Sequence, residues 1–112
     1  MVSTEAFRQL ALSFVEVEEQ PHFEKTSFRI NKKIFATLDE KNKKAVVKLT
    51  VVDQSVFCSF DKTVIYPVPG KWGLRGWTMI ELKTVRKRML TDVVKTSYCN
   101  TAPKILSEKY RK

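Results

Sequence analysis

Glycine is nearly absent from this chain of 112 residues, which contains three, all between positions 70 and 76. The eleven residues Pro67–Trp77 also hold both tryptophans and two of the four prolines. Proline fixes φ and glycine permits positive φ, so this segment, called the aromatic loop, is predicted to have a defined shape. Its two cations give it the composition of a binding surface, although both tryptophans could instead turn inward and cap the core. These side chains are Lys71, Trp72, Arg75 and Trp77.

Long apolar runs are missing as well. No stretch of 18 apolar residues exists, so no membrane-spanning helix is expected. Residues Met1–Glu5 have neither the basic nor the apolar region of a secretory signal, and the expected compartment is therefore the cytoplasm. Cys58, Cys99 and the single histidine, His22, do not stand at ligand spacing, so neither a metal site nor a redox pair is predicted.

The motifs of common enzymes are also absent. The chain has no Walker loop, no G-x-G-x-x-G, no C-x-x-C and no H-E-x-x-H. His22 has no partner nucleophile placed by spacing, so it is expected to be structural or to border a pocket. Glu16, Glu18 and Glu19 lie among valines without a desolvating pocket, and we expect a solvated acidic patch. The chain is therefore predicted not to be an enzyme and to need no cofactor.

Positive charge is unevenly distributed along the chain, whose net charge is +9. Residues 1–60 carry nine Lys/Arg and eight Asp/Glu, whereas residues 61–112 carry twelve and four, a net charge of +8. The asymmetry favours an anionic partner, nucleic acid first and an acidic protein surface second. The alternative is an ordinary solvated, lysine-rich surface. The basic half ends in Lys109, Arg111 and Lys112.

Hydrophobic periodicity predicts the order α-β-β-β-α-β-β-α, followed by a short last helix, in a single domain of residues 1–112. Ser3 or Thr4 caps the first helix, Thr50 caps the second, and Asn31-Lys32 is predicted to form a tight turn between the first two strands. Val52, Val56 and Phe57 of the second helix are expected to face inward. The predicted strands are 26–31, 34–38, 45–50, 64–66 and 77–82, and the predicted helices begin near residues 4, 50, 84 and 105.

The register of the last strand decides which side chains share a face of the sheet. If Ile80 and Leu82 face the core, the alternate residues face the other side, because successive side chains of a strand point in opposite directions. These alternate residues are Trp77, Met79 and Glu81. Trp77 would then be exposed.

Three consecutive cations, Arg86-Lys87-Arg88, open the third predicted helix. They oppose the helix macrodipole at a cost of roughly a few tenths of a kcal/mol each, yet beside free backbone N–H groups they would hold a phosphate. The alternative is that solvent screens them. A second lysine cluster forms either a phosphate-gripping wing or a solvated turn before the third strand. Its members are Lys41, Lys43 and Lys44.

Several short segments carry a resemblance to a known family. They are Pro21-His-Phe23, Phe28-Arg29, Lys33-Ile-Phe-Ala-Thr37, Trp72-Gly73 with Gly76-Trp77, and Ala102-Pro103. Together they resemble the MmcQ/YjbR family across nearly the whole length. The resemblance implies a two-layer α+β fold, in which helices pack on an antiparallel, five-stranded sheet. It also implies a double-wing DNA-binding motif and an architecture similar to type III secretion chaperones, and it supplies no catalytic residues.

Three hypotheses for the function follow. The first is a non-enzymatic module that binds nucleic acid, with double-stranded DNA favoured, through phosphate contacts and stacking on Trp72. The cations that would hold phosphates are Lys71, Arg75, Arg86, Lys87 and Arg88. The second is a protein-interaction or chaperone-like module, monomeric or homodimeric, for an acidic or apolar partner. The third is a small-metabolite site between loop and sheet, around His22, Trp72 and Trp77.

Overall fold

The computed structural model describes residues 2–110, which form an antiparallel sheet with helices. The strands are β1 Glu18–His22, β2 Lys25–Ile30, β3 Lys33–Asp39, β4 Lys44–Lys48, β5 Ile65–Pro67 and β6 Trp77–Glu81. The helices are α1 Thr4–Leu12, α2 Val51–Cys58, α3 Lys71–Leu74, α4 Lys87–Thr101 and α5 Lys104–Ser107, with a 3₁₀ turn at Glu108–Tyr110. The sheet order is β1-β2-β3-β4-β6-β5. The basic end, Arg111 and Lys112, lies outside the described residues.

Two helix caps and one tight turn form as local chemistry predicts. The side chain of Ser3 accepts a hydrogen bond from the backbone N–H three residues later at 3.0 Å, and that of Thr50 does the same at 3.1 Å. The turn Asn31-Lys32 joins β2 to β3 with positive φ at both residues, 53° and 67°, as a type I′ hairpin requires. These short-range signals therefore set where α1, α2 and the hairpin begin.

The sheet has six strands, so the predicted number of five was wrong. The missed strand is β1, part of the segment expected to be a solvated acidic patch. It pairs with β2 along its whole length, while four of its five side chains are exposed. Such an edge strand is stabilised by backbone hydrogen bonds, tolerates Pro21 and shows no apolar alternation. Glu19 is moreover paired, because it accepts a hydrogen bond from Arg8 Nε at 2.8 Å.

The core lies between the sheet and the helices α1 and α4, which pack on β3 and β4. Ile80 and Leu82 are fully buried, as the predicted register requires, and the alternate residues of β6 are half-buried on the other face. The helix predicted to begin near residue 84 begins at Lys87, because the N–H of Val85 bonds back to Glu81 in a turn. Other core side chains are Phe7, Phe28, Phe35, Leu38, Val47, Leu90, Val94 and Tyr98.

The orientation predicted for α2 was wrong for two of its three side chains. Val52 and Val56 were expected to face inward, but they are 71% and 51% exposed. The buried side chain of this helix is Gln54, whose amide nitrogen lies 2.9 Å from the carbonyl oxygen of Gly73. Phe57 and Cys58 of the same helix pack against the core, so the hydrogen bond of Gln54 and the packing of these two side chains together orient α2. Val52 and Val56 therefore belong to the exposed apolar surface of the protein.

Burial of Tyr98 makes the stability depend on pH. Its hydroxyl donates to the carbonyl oxygen of Val15 at 2.7 Å, and burial raises the pKa of Tyr98 to about 12. Below pH 10 the phenol is protonated in both the folded and the unfolded chain, and its contribution to stability is complete. Between pH 10 and 12 only the unfolded chain releases the proton, so the free energy of unfolding falls by about 1.4 kcal/mol per pH unit.

Denaturant titrations of the protein and of Tyr98→Phe between pH 8 and pH 12 measure this contribution. The variant lacks the ionisable group, so its stability should fall less steeply above pH 10, although at pH 8 it should be about 1 kcal/mol less stable. Parallel pH profiles of the two proteins would contradict the assignment to Tyr98.

Candidate functional site

One face of the sheet is not packed against α1 or α4, and we call it the open face. Cross-strand neighbours place Thr37, Val46 and Met79 side by side on β3, β4 and β6. All three side chains are half-buried, so they form an accessible floor. The aromatic loop stands at one end of this floor, where α3 contacts β6.

Close backbone contacts hold the aromatic loop to the sheet. A Cβ on Gly76 would lie 1.8 Å from the carbonyl oxygen of Leu49, and one on Gly73 would lie 2.0 Å from that of Val68. Gly76 also has a φ of +103°, which favours glycine. These glycines therefore allow the chain to pass so closely that Trp72 is placed above the floor. The predicted loop of defined shape includes the short helix α3, which the sequence analysis missed.

Each tryptophan of the loop has a cation beside its ring. Nζ of Lys48 lies 5.4 Å from the ring centroid of Trp77, and Cζ of Arg75 lies 5.8 Å from that of Trp72. Trp72 is 58% exposed and Trp77 is half-buried, so neither is enclosed in the core. Cations held against aromatic faces present positive charge and a stacking surface in the same place.

A cavity of about 400 Å³ on the open face, called the central cavity, brings together three residues that the sequence analysis grouped. Trp72 and Trp77 border it from the aromatic loop and β6, and His22 borders it from the end of β1, next to the turn between β1 and β2. Phe23, at the tip of that turn, is 94% exposed and packs edge-on against His22 at 4.9 Å. Two projections with aromatic side chains thus flank the floor of the cavity.

A second cavity of about 430 Å³, called the cationic cavity, adjoins the first because Ile34 and Trp77 border both. Lys33, Lys48 and Arg75 line it. Within residues 2–110, none of these three cations has a carboxylate oxygen within 4.0 Å. Their charge is therefore available to an anion.

The six residues expected to bind nucleic acid do not form one surface. Lys71 is exposed on α3 with Trp72 and Arg75, at the end of the sheet where the C-terminal end of α4 lines the cationic cavity. The cations Arg86-Lys87-Arg88 flank the other end of α4, a helix of 15 residues that rises about 21 Å. They are exposed, and Arg86 borders a separate cavity of about 340 Å³.

One carboxylate of the open face is already engaged. Glu81 accepts a short hydrogen bond from the hydroxyl of Tyr66 and lies 3.4 Å from Nζ of Lys44. The hydrogen bond to Glu81 raises the pKa of Tyr66, and the nearby Tyr66 and Glu81 raise the pKa of Lys44. Lys44 was expected to lie either in a phosphate-gripping wing or in a solvated turn. It lies instead on β4, where Glu81 partly neutralises its charge, whereas Lys41 and Lys43 are exposed in the turn.

Sequence reasoning missed Lys33 and Lys48, two of the three cations of the cationic cavity. Lys48 has no neighbouring cation, Lys33 has only Lys32 beside it, and the half of the chain that contains them is nearly neutral. The available signal was register, because Lys48 is the direct cross-strand partner of Trp77. That pairing requires knowing that β4 lies beside β6.

Other kinds of site find no support in the part of the chain that the structure describes. Residues 2–110 contain no group of three His, Cys, Asp or Glu side chains that could hold a metal ion. Among the same residues, no helix is long and apolar enough to cross a membrane.

Comparisons with known proteins give a family and a fold. The sequence model of the family described as YjbR matches residues 12–100. No curated protein matches the chain. The crystal structure of the Deinococcus radiodurans protein DR2400, which has a DUF419 domain, is similar with a TM-score of 0.75. The two sequences are 16% identical, and the match covers 100% of this chain and 83% of that chain. At that identity the likeness shows the α+β fold alone.

Proposed function

This chain belongs to the YjbR family, and we propose that it is a non-enzymatic module that binds nucleic acid on the open face of its sheet. The observation that carries the proposal is the pairing of both loop tryptophans with cations. Arg75 and Lys48 lie 5.8 Å and 5.4 Å from the rings of Trp72 and Trp77, and both rings border the central cavity. Bases stack on aromatic faces while phosphates bind Lys and Arg, so nucleic acid matches this combination.

The charges around the cavity also support the proposal. The cationic cavity adds Lys33 to Lys48 and Arg75, while the carboxylate of Glu81 is paired with Tyr66 and Lys44. A backbone that crosses this end of the sheet would therefore meet positive charge. Each neutralised phosphate releases counterions, so the affinity should fall steeply with salt.

Replacing Lys48 and Arg75 by alanine should weaken binding and flatten its salt dependence. Each lost phosphate contact reduces the slope of log K against log salt by about 0.7 to 0.9, so the double variant should lose about 1.4 to 1.8. Fluorescence anisotropy of labelled oligonucleotides over a series of salt concentrations gives the slope. Lys83→Ala/Lys95→Ala is the charge-matched control, since these exposed lysines border neither cavity.

An unchanged slope in the Lys48→Ala/Arg75→Ala variant would overturn the proposed surface. The triple variant Arg86→Ala/Lys87→Ala/Arg88→Ala tests the phosphate contacts expected from the sequence, with a loss of up to about 3 in the slope if those cations belong to the footprint. Because they lie at the other end of α4, we expect this variant to keep most of the slope. That the partner is double-stranded DNA stays a prediction of the sequence.

A small aromatic anion in the central cavity is the second candidate. The observation that favours it is the grouping of His22, Trp72 and Trp77 around about 400 Å³, a volume typical of small-molecule sites. Titration of tryptophan emission with mononucleotides and with oligonucleotides separates the two candidates. Saturation by a mononucleotide, with no added affinity for longer strands, would favour the small ligand over the nucleic acid.

A further inference from the structure

We infer that the central cavity takes an unpaired base, so that the preferred ligand is a single nucleic-acid strand and not a duplex. This inference rests on the proposed function and names the form of nucleic acid that the same site binds. It departs from the double-stranded DNA that the sequence favours, and it follows from where the stacking surface and the cations lie.

The stacking surface of Trp72 lies at the border of the central cavity. Trp72 is the more exposed tryptophan, yet it borders a cavity whose floor is the sheet and whose far side is His22. A base that stacks on the side of Trp72 facing this cavity therefore lies between the aromatic loop and the end of β1. In a duplex the base faces are covered by their neighbours, and only the base edges are open in the grooves. An unpaired base can present its face without first leaving a stack.

The cations that would contact phosphates lie in the adjoining cationic cavity. The central and cationic cavities share Trp77 and Ile34, so a base in the first has its sugar-phosphate backbone beside Lys48 and Arg75 in the second. A cavity for a base that adjoins a cavity lined by cations is the arrangement of a single-strand site. In such sites aromatic side chains stack on the bases and a basic groove follows the backbone.

Binding of a duplex would require a different arrangement of cations. The proteins that read double-stranded DNA place a helix or a β-ribbon in a groove, with cations on the flanking phosphates. Here the exposed cations next to a long helix, Arg86-Lys87-Arg88, lie about 21 Å from the end of α4 that borders the cationic cavity. Since successive base pairs of a duplex are about 3.4 Å apart, the two groups of cations would lie about six base pairs apart and would not contact the same phosphates.

The test compares four labelled ligands of equal length at one salt concentration: oligothymidylate, oligouridylate, a DNA duplex and an oligomer of abasic sites. We expect thymidylate or uridylate to bind at least about tenfold more tightly than the duplex and to quench tryptophan emission. The abasic oligomer has the same phosphates without bases, so it should bind weakly.

Variants of Trp72 locate the stacking contact. Trp72→Leu keeps an apolar side chain but removes the aromatic face, and it should weaken binding of the single strand about 5- to 100-fold. Trp72→Phe keeps a smaller ring and should restore part of that loss. Phe60→Leu is the matched control, because Phe60 is 65% exposed and does not border the central cavity. Since Trp72 and Phe60 are exposed, each variant should remain folded.

The possible failures can be distinguished. Absence of binding to any nucleic acid at low salt would overturn the proposed function and this inference together. Duplex binding as tight as single-strand binding, unaffected by Trp72→Leu but flattened by Lys48→Ala/Arg75→Ala, would overturn this inference alone. Equal binding of the abasic oligomer and oligothymidylate would also overturn it, since the bases would then contribute nothing.

Discussion

Gly76→Ala is expected to lower the free energy of unfolding by about 4 kcal/mol or more. A Cβ at this position would lie 1.8 Å from the carbonyl oxygen of Leu49, which is backbone and cannot rotate away. The N–H of Leu49 also donates to the carbonyl oxygen of Gly76 at 2.9 Å, so separating the two segments would break that bond as well. The φ of +103° adds backbone strain. These effects together account for the expected loss, which is a large part of the about 5 to 15 kcal/mol that stabilise an ordinary domain.

Gly70→Ala is the matched control for this prediction. Gly70 also has a positive φ, +82°, but a Cβ there would meet nothing within 4 Å. The control should therefore lose only the backbone strain, about 1 to 3 kcal/mol, because a φ of +82° with a ψ of −154° lies in a region that is almost exclusive to glycine. Thermal unfolding followed by circular dichroism measures both variants. Melting temperatures that differ by less than about 5 °C would show that the segments at residues 49 and 76 separate at little cost.

Replacement of Gln54 by methionine is expected to have the second-largest effect, on stability and on binding. The side-chain nitrogen of Gln54 is within 2.9 Å of the carbonyl oxygen of Gly73 and within 3.2 Å of the carbonyl oxygen of Trp77 and of Thr78 Oγ1. It thus ties α2 to α3 and to the start of β6. Methionine keeps the volume but donates no hydrogen bond, so buried acceptors lose a donor at a cost of about 2 to 3 kcal/mol.

The same change should loosen the aromatic loop. Because Trp72 is positioned by α3, a less ordered loop should lower the affinity for a single strand even where the variant remains folded. Denaturant titration gives the loss of stability, and anisotropy with oligothymidylate gives the loss of affinity. Ser55→Ala is the control, since Ser55 is the exposed neighbour on α2 and should change stability by less than about 0.5 kcal/mol. If Gln54→Met loses no more stability and affinity than Ser55→Ala, the amide of Gln54 does not anchor the loop.

Part of the candidate site could be predicted because its signals are local. The concentration of glycine, proline and tryptophan in residues 67–77 identified the aromatic loop, and the alternation of β6 placed Trp77 away from the core. His22 was grouped with Trp72 and Trp77 as a possible pocket, and all three border the central cavity. Lys33 and Lys48 were missed because their contribution depends on strands that are distant in sequence.

Two errors in the fold have the same origin. β1 was missed because an edge strand is held by backbone hydrogen bonds, which do not depend on side-chain hydrophobicity. The face of α2 was misjudged because a buried hydrogen bond from Gln54 and the packing of Phe57 and Cys58, and not the apolar valines, orient the helix. In both cases the decisive partner lies elsewhere in the chain, on β2 or in the aromatic loop.

The sequence by itself determined the features that depend on neighbouring residues: the caps of α1 and α2, the hairpin turn, the alternation of β6 and the unusual loop. Helix caps and turns act within a few residues, and alternation follows from the geometry of a single strand. Only the tertiary structure decided which charges meet. It brought Lys33, Lys48 and Arg75 together at one end of the open face, and it separated Arg75 from Arg86 by the length of α4. The reason is that sheet order and helix direction set distances between residues far apart in sequence, and no local pattern contains them.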